Sequence, residues 1–232
     1  MGSLMLAGGA EFGGRMGAID RLALERAGGP GARLRVIPAA AAPDHNEQRA
    51  GRNAVHWFRG LGARDVAVVP LTDRASAEDA TVAAELERAH LIYLLGGFTH
   101  YLGQTLAGSA SLAGLRAAHA AGAVLAGSSA GAMVLCEHYY DPAEGELRAG
   151  LGFLPRACFI PHHDTFGRSW GPRLAPRLPD AVLIGVDEQT GMLDDGQGRR
   201  WRVAGRGGVT LYWQGRAERY AAGEDFDLPL RP

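Results

Sequence analysis

An α/β fold, built on a mainly parallel sheet with helices on both faces, is what this 232-residue sequence predicts. Three observations lead there. Up to about residue 135, strand-like apolar runs alternate with helix-like segments across short glycine-marked joints, the rhythm of crossover-connected parallel strands. The runs Leu91-Ile92-Tyr93-Leu94-Leu95 and Ala123-Val124-Leu125-Ala126 are apolar throughout, as strands covered on both faces should be. From residue 191 onward the texture shifts to short β-like segments with glycine turns, which predicts C-terminal antiparallel hairpins.

Leu4 to Ala7 reads as a first strand running into Gly8-Gly9. Met16 to Ala27 is a helix closed by Gly28-Gly29-Pro30-Gly31, a run of helix-breaking residues. Arg33 to Pro38 is the next strand, and a polar loop follows from Ala42 to about Asn46. Glu47 to Gly60 is a helix with Ala50, Ala54, Trp57 and Phe58 near helical spacing. Gly62 turns the chain into strand Asp65 to Pro70. Ser76 is placed to cap a helix from Ala77 to Arg88, with Asp79 in its first turn. Strand 91–95 ends in Gly96-Gly97-Phe98-Thr99. Helices follow at about His100 to Ala107 and at Leu112 to Ala121, and then the strand at 123. Asp141 to Gly152 reads as a polar loop. Cys158 to Pro161 is a short strand leading to His162-His163-Asp164, and an Arg- and Pro-rich segment spans Arg168 to Arg177. Ala181 to Val186 is a strand ending at Asp187-Glu188. Hairpin strands are expected at 201–204, 208–213 and 217–220. No linker, repeat or low-complexity tract interrupts this, so residues 1–232 are expected to form one catalytic domain.

Composition narrows the function classes. The formal charge is −1, so nothing draws the chain to nucleic acid or an anionic membrane. No apolar run approaches the ~18 residues of a membrane span. The start, Met1 to Gly9, lacks a basic region before its apolar stretch, so a cytoplasmic location is expected. All 24 basic residues are Arg; without Lys there is no Walker-type phosphate loop and no Schiff base. Cys136 and Cys158 make no redox or metal motif and are expected to be buried and reduced.

The candidate chemistry centres on Gly127-Ser128-Ser129-Ala130-Gly131. It fits G-x-S-x-G after a strand and before a small-residue helix start, the setting of a nucleophile elbow. There a sharp turn pushes the central hydroxyl out of the sheet, and the helix N-terminus offers free N–H groups to an oxyanion. Ser129 is thus the candidate nucleophile. A serine needs a base, an orienter and an oxyanion hole. Among eight histidines, His162 and His163 follow a strand end directly and are the candidate bases. A metal reading of His162-His163-Asp164 is disfavoured, because adjacent residues on an extended chain point to opposite faces; no metal or cofactor is expected. Glu188 and Asp187 end the next strand and are candidate orienters, with Asp164 as a rival. The N–H groups of Ala130 and Gly97 are the candidate oxyanion donors. The order Ser, His, Glu departs from the Ser, Asp/Glu, His order of α/β-hydrolases.

Four ordered segments, Leu94-Leu95-Gly96-Gly97-Phe98-Thr99, Gly127-Ser128-Ser129-Ala130-Gly131-Ala132, Phe159-Ile160-Pro161-His162 and Ile184-Gly185-Val186-Asp187-Glu188, resemble the S51 serine peptidases. That family contains aspartyl dipeptidase (dipeptidase E) and cyanophycinase, on a fold similar to class I glutamine amidotransferases. The resemblance extends to about residue 215. It implies that Ser129 is the nucleophile, His162 the base, Glu188 the third member and Gly97 an oxyanion donor. It further implies metal-free hydrolysis of small peptides through an acyl-enzyme, often with aspartate on the acyl side. Phe98, Thr99, His163, Arg168 and Arg173 are the expected substrate-binding residues, with Arg177 on the same segment. Two departures stand out. Phe98 replaces the Asn common beside the oxyanion glycine, and Ile160-Pro161-His162-His163 replaces the Asp-Gln-His-Phe run of cyanophycinases, which argues against degradation of the Asp–Arg polymer. Competing expectations are an amidase or amidotransferase-like hydrolase, and a noncatalytic binding module of the same fold. The hairpins after residue 200 suggest a surface for a homodimer.

Overall fold

The computed structural model describes residues 1–197 and 199–229. The first half alternates as expected. Its strands are β1 (Ser3–Ala7), β2 (Arg33–Ile37), β3 (Asp65–Val68), β4 (Leu91–Leu94) and β5 (Val124–Ser128). Its helices are α1 (Gly17–Arg26), α2 (Glu47–Gly60), α3 (Arg74–Ala77), α4 (Ala80–Glu87), α5 (Thr99–Leu106), α6 (Ala110–Ala120) and α7 (Ala130–Leu135). The second half carries β6 (Cys136–Asp141), β7 (Glu146–Ala149), β8 (Leu154–Ile160), α8 (Trp170–Leu174), β9 (Val182–Val186), β10 (Thr190–Asp194), β11 (Arg200–Gly205), β12 (Gly208–Trp213), β13 (Arg216–Ala221) and β14 (Asp225–Asp227).

These strands make two sheets. One has the order β14-β11-β10-β1-β5-β4-β2-β3. Its members β1 to β5 pair in parallel, while β10, β11 and β14 add antiparallel strands beyond β1. The other has the order β13-β12-β9-β8-β6-β7, with β6, β8 and β9 parallel and antiparallel strands outside them.

Strand alternation sorts the core. In β1, Met5 and Ala7 face one apolar cluster, while Leu4 and Leu6 face the other, as a period of two requires. The first cluster is closed by Ile19 and Leu24 of α1 and by Ala54 and Phe58 of α2. The second takes Leu86, Leu106, Leu115 and Val134 from α4 to α7, together with Phe159 and Leu183 of the second sheet. Helices therefore cover both faces, and the two sheets share one core.

Three expectations change. The helix expected from Ala77 to Arg88 is two helices. Asp73 caps α3 in a capping box with Ser76, and Asp79 caps α4 by accepting from Thr81 N–H. Two acidic caps, Asp73 and Asp79, each start a helix of their own, so the segment is divided between them. The stretch 141–152 is the β6–β7 hairpin instead of a loop. Arg148 of β7 pairs across the ladder with Asp141 of β6 and along its own strand with Glu146, so a polar, largely exposed stretch still forms strands. Finally, one expected sheet became two, because β8 pairs with β6 and β9 and not with β1.

This topology positions a site. The C-terminal ends of β1, β4 and β5 lie side by side, where parallel sheets gather ligands. The ends of β8 and β9 are tied to the same place. His162 N–H donates to Gly8 O at 2.8 Å, and Gln189 N–H donates to Gly9 O at 3.1 Å.

Candidate active site

Ser129 lies between β5 and α7 with φ 48° and ψ −111°, a conformation that costs a non-glycine residue about 1–3 kcal/mol. The surrounding structure enforces it. Ser129 N–H donates to Ala7 O at 2.9 Å, and Met133 N–H donates to Ser129 O at 2.9 Å. The flanking glycines are needed for close approach. A Cβ on Gly131 would meet Leu94 O at 2.1 Å, and one on Gly127 would meet the Gly131 carbonyl carbon at 2.4 Å. The turn is thus a close-packed elbow that leaves the Ser129 side chain only partly buried.

His162 stands opposite. Its Nε2 is 3.0 Å from Ser129 Oγ, and its Nδ1 is 2.8 Å from Glu188 Oε1. His162 and Gln189 also hold positive φ, at 50° and 54°, so strained backbone is concentrated here. The imidazole stacks on Phe166 with ring centroids 4.6 Å apart. The rival carboxylates have other partners. Asp164 Oδ1 accepts the Glu188 N–H at 2.8 Å, which steadies Glu188 and leaves the imidazole to it. Asp187 accepts from Arg219 Nη2 at 2.5 Å and from Gly208 N–H at 2.9 Å. Burial pushes the Asp187 carboxyl up, but hydrogen bonds from His163, Arg219 and Gly208 outweigh it and hold the carboxyl well below the usual range.

The turn after β4 faces the serine. Gly97 has φ 139°, and a Cβ there would meet Ala40 O at 2.2 Å. Phe98 N–H donates to Ala40 O at 2.8 Å, and Gly96 N–H donates to Glu11 Oε2 at 3.1 Å. The Gly97 N–H between them has no acceptor among the described residues. The Ala130 N–H, in the first turn of α7, has no intrahelical acceptor either. A nucleophile beside a base, a carboxylate behind the base, and two unengaged N–H groups make up what acyl transfer requires.

Other expected site residues separate. Phe98 is exposed beside Gly97, and Thr99 opens α5 with its hydroxyl 3.5 Å from Met133 Sδ. His163 is not brought to the serine. It is buried, its Nε2 lies 2.8 Å from the Tyr212 hydroxyl and its Nδ1 lies 3.6 Å from Asp187. The two side chains diverge because the chain leaves β8 at Ile160 and turns at His162 with φ 50°. Arg168 is exposed and donates to Asp164 O at 3.4 Å. Arg173 lies over the Tyr140 ring and Arg177 donates to Gly145 O, so both engage the β6–β7 hairpin.

Two residues at the site went unmarked in the sequence. Phe166 is one. Glu11 is the other, and burial raises its carboxyl to about 7, against the lowering hydrogen bond from Gly96. A carboxylate two residues past the Gly8-Gly9 turn, at the end of a central parallel strand, was the available signal for it.

Known proteins place this geometry in context. The profile of Peptidase family S51 matches residues 4–198. A cyanophycinase of Synechococcus elongatus is 34% identical over 223 residues, which is 90% of this chain and 67% of that protein. A solved peptidase from an acI-B1 Actinobacterium superposes with a TM-score of 0.85 and 28% identity, covering 98% of this chain and 97% of that one. A candidate peptidase E of Listeria monocytogenes EGD-e superposes with a TM-score of 0.62 at 14% identity, covering 96% of this chain and all of that one, a likeness of fold alone.

Proposed function

This chain belongs to peptidase family S51, and on that premise we propose that it is a serine peptidase that hydrolyses short peptides through an acyl-enzyme. The observation that carries this reading is the relay Ser129 Oγ–His162 Nε2 at 3.0 Å and His162 Nδ1–Glu188 Oε1 at 2.8 Å.

His162 takes the Ser129 proton as Oγ attacks the scissile carbonyl. Glu188 accepts Nδ1–H, fixes the tautomer that leaves Nε2 free to act as base, and stabilises the imidazolium. The N–H groups of Gly97 and Ala130 receive the oxyanion. His162 then returns its proton to the leaving amine, and water repeats the sequence on the ester. No step calls on a cofactor.

Phe98 and Phe166 are exposed large apolar side chains. One follows the oxyanion glycine and the other stacks on the base. Apolar walls beside the serine favour an apolar acyl-side residue. Arg168 is the available partner for a substrate carboxylate at the rim. The test is a dipeptide panel with Asp-X, X-Asp, β-aspartyl and neutral members. Turnover of neutral apolar dipeptides above Asp-X is expected. No hydrolysis of any short peptide by folded protein would refute the reading.

A second reading is cyanophycinase activity, favoured by the 34% identity to the Synechococcus elongatus enzyme. Release of soluble peptide from cyanophycin granules, with the dipeptide panel untouched, would establish it instead.

A further inference from the structure

The Gly96-Gly97-Phe98 turn presents three successive backbone donors, and the structure engages the outer two. Phe98 N–H is held by Ala40 O at 2.8 Å from one side. Gly96 N–H is held by Glu11 Oε2 at 3.1 Å from the other. A flexible glycine pair is thereby clamped at both ends, with the Gly97 N–H as the unengaged donor between.

The Glu11 clamp reaches across the fold, from the loop after β1 to the loop after β4. Beneath it lies a polar cluster on the α1 side of the first sheet. Ser128 of β5 lies beside the Glu11 carboxyl but outside hydrogen-bond geometry; Tyr93 of β4 and Asp20 of α1 lie deeper. Ser128 Oγ, Tyr93 Oη and Asp20 Oδ1 are buried without a hydrogen-bond partner among the described residues, and Trp57 Nε1 donates to the other Asp20 oxygen at 2.8 Å. A carboxyl in such surroundings is costly to ionise. Among the described residues the Glu11 carboxyl makes no hydrogen bond to the core side chains beneath it. Its hydrogen bond instead goes upward, to the turn beside the nucleophile.

We propose that Glu11 is a positioning residue for the oxyanion hole: by holding Gly96 N–H, it orients the Gly97 N–H toward the carbonyl that Ser129 attacks. This rests on the reading of Ser129 and Gly97 given above. Glu11 touches no reacting atom; it acts through the backbone of the turn.

The experiment measures kcat and KM of Glu11→Ala, Glu11→Gln, Gly97→Ala and Glu11→Ala/Gly97→Ala on the best dipeptide, beside Ser129→Ala. Loss of an oriented oxyanion donor lowers kcat by about 10²–10³-fold, and misorientation gives part of that. Glu11→Ala is expected to lose about 10–100-fold in kcat with KM within about twofold. Glu11→Gln keeps an oxygen acceptor for Gly96 N–H and should recover most of the loss. The double variant should be no slower than Gly97→Ala alone, because both changes remove one function. Where Glu11→Ala does not fold, Glu11→Asp substitutes for it: it keeps a carboxyl group, withdraws it from Gly96 and should show the same kcat loss.

Wild-type kcat in Glu11→Ala, or additive losses in the double variant, would overturn the proposal. Failure of the underlying reading looks different: Ser129→Ala would then turn over substrate, whatever Glu11 does.

Discussion

Replacing Glu188 by Gln removes the charge behind the base and changes little else in shape. His162 Nδ1 lies 2.8 Å from Glu188 Oε1, which puts the charge centres of imidazolium and carboxylate about 4 Å apart. At an effective dielectric of ~20 that pair is worth about 4 kcal/mol. The Glu188 side chain is 35% exposed, so solvent screening reduces this to about 2–3 kcal/mol. That corresponds to about 10²-fold in kcat. A second loss follows if the Gln amide turns its NH₂ to Nδ1, because the imidazole must then carry its proton on Nε2 and cannot accept one from Ser129; an analogous change elsewhere costs about 10⁴-fold. The expected fall in kcat therefore lies between about 10² and 10⁴, with KM nearly unchanged. Initial rates on the best dipeptide, with circular dichroism to verify folding, measure it. Asp164→Asn is the control, since Asp164 only accepts the Glu188 N–H; it should cost about tenfold or less. Glu188→Gln within about threefold of wild type would refute the assignment of Glu188.

Gly97→Ala drives a Cβ to 2.2 Å from Ala40 O at φ 139°, so the turn must move and kcat should fall by about 10²–10³-fold in the same rate assay. Ser129→Gly should abolish turnover and also stabilise the fold, because glycine relaxes the φ 48° conformation; a gain of about 1 kcal/mol, or about 2–4 °C in Tm, should be read by calorimetry. Asp187→Asn should destabilise by about 2 kcal/mol at neutral pH in urea unfolding, because a buried acceptor of Arg219 and Gly208 loses its charge. The folded Asp187 carboxyl sits below its usual range, so its contribution is present above the unfolded value of ~3.9 and is lost as pH falls through the folded one. The urea midpoints of wild type and Asp187→Asn should accordingly converge in acid.

Much of the fold was legible because the first half obeys local rules. Uniformly apolar runs mark β4 and β5, and glycine turns end them. The second half was harder. The β6–β7 strands carry Asp141, Glu146 and Arg148, held by ion pairs across the ladder and along β7, so no hydrophobic pattern marks them. The division into two sheets depends on which strand β8 pairs with, a long-range choice with no local signal. At the site, the Ser129 turn and the strand-end positions of His162 and Glu188 could be read because parallel strands deliver their C-terminal ends to one place. His163 turns inward to Tyr212, a choice between two adjacent side chains that a sequence does not record. Glu11 reaches the Gly96 turn across the fold, and only its place just past the end of β1 hints at it; Phe166 stacks on His162 from four residues on, a contact made by the local turn and carried by no motif.

The central claim is that Ser129 carries the acyl group. A fluorophosphonate probe followed by peptide mass spectrometry tests it most directly, with wild type, Ser129→Ala and His162→Ala compared side by side. A single adduct on the peptide containing Ser129, absent from Ser129→Ala and slow to form in His162→Ala, is the expected result, together with loss of dipeptide turnover in both variants. Undiminished turnover by folded Ser129→Ala would contradict the account.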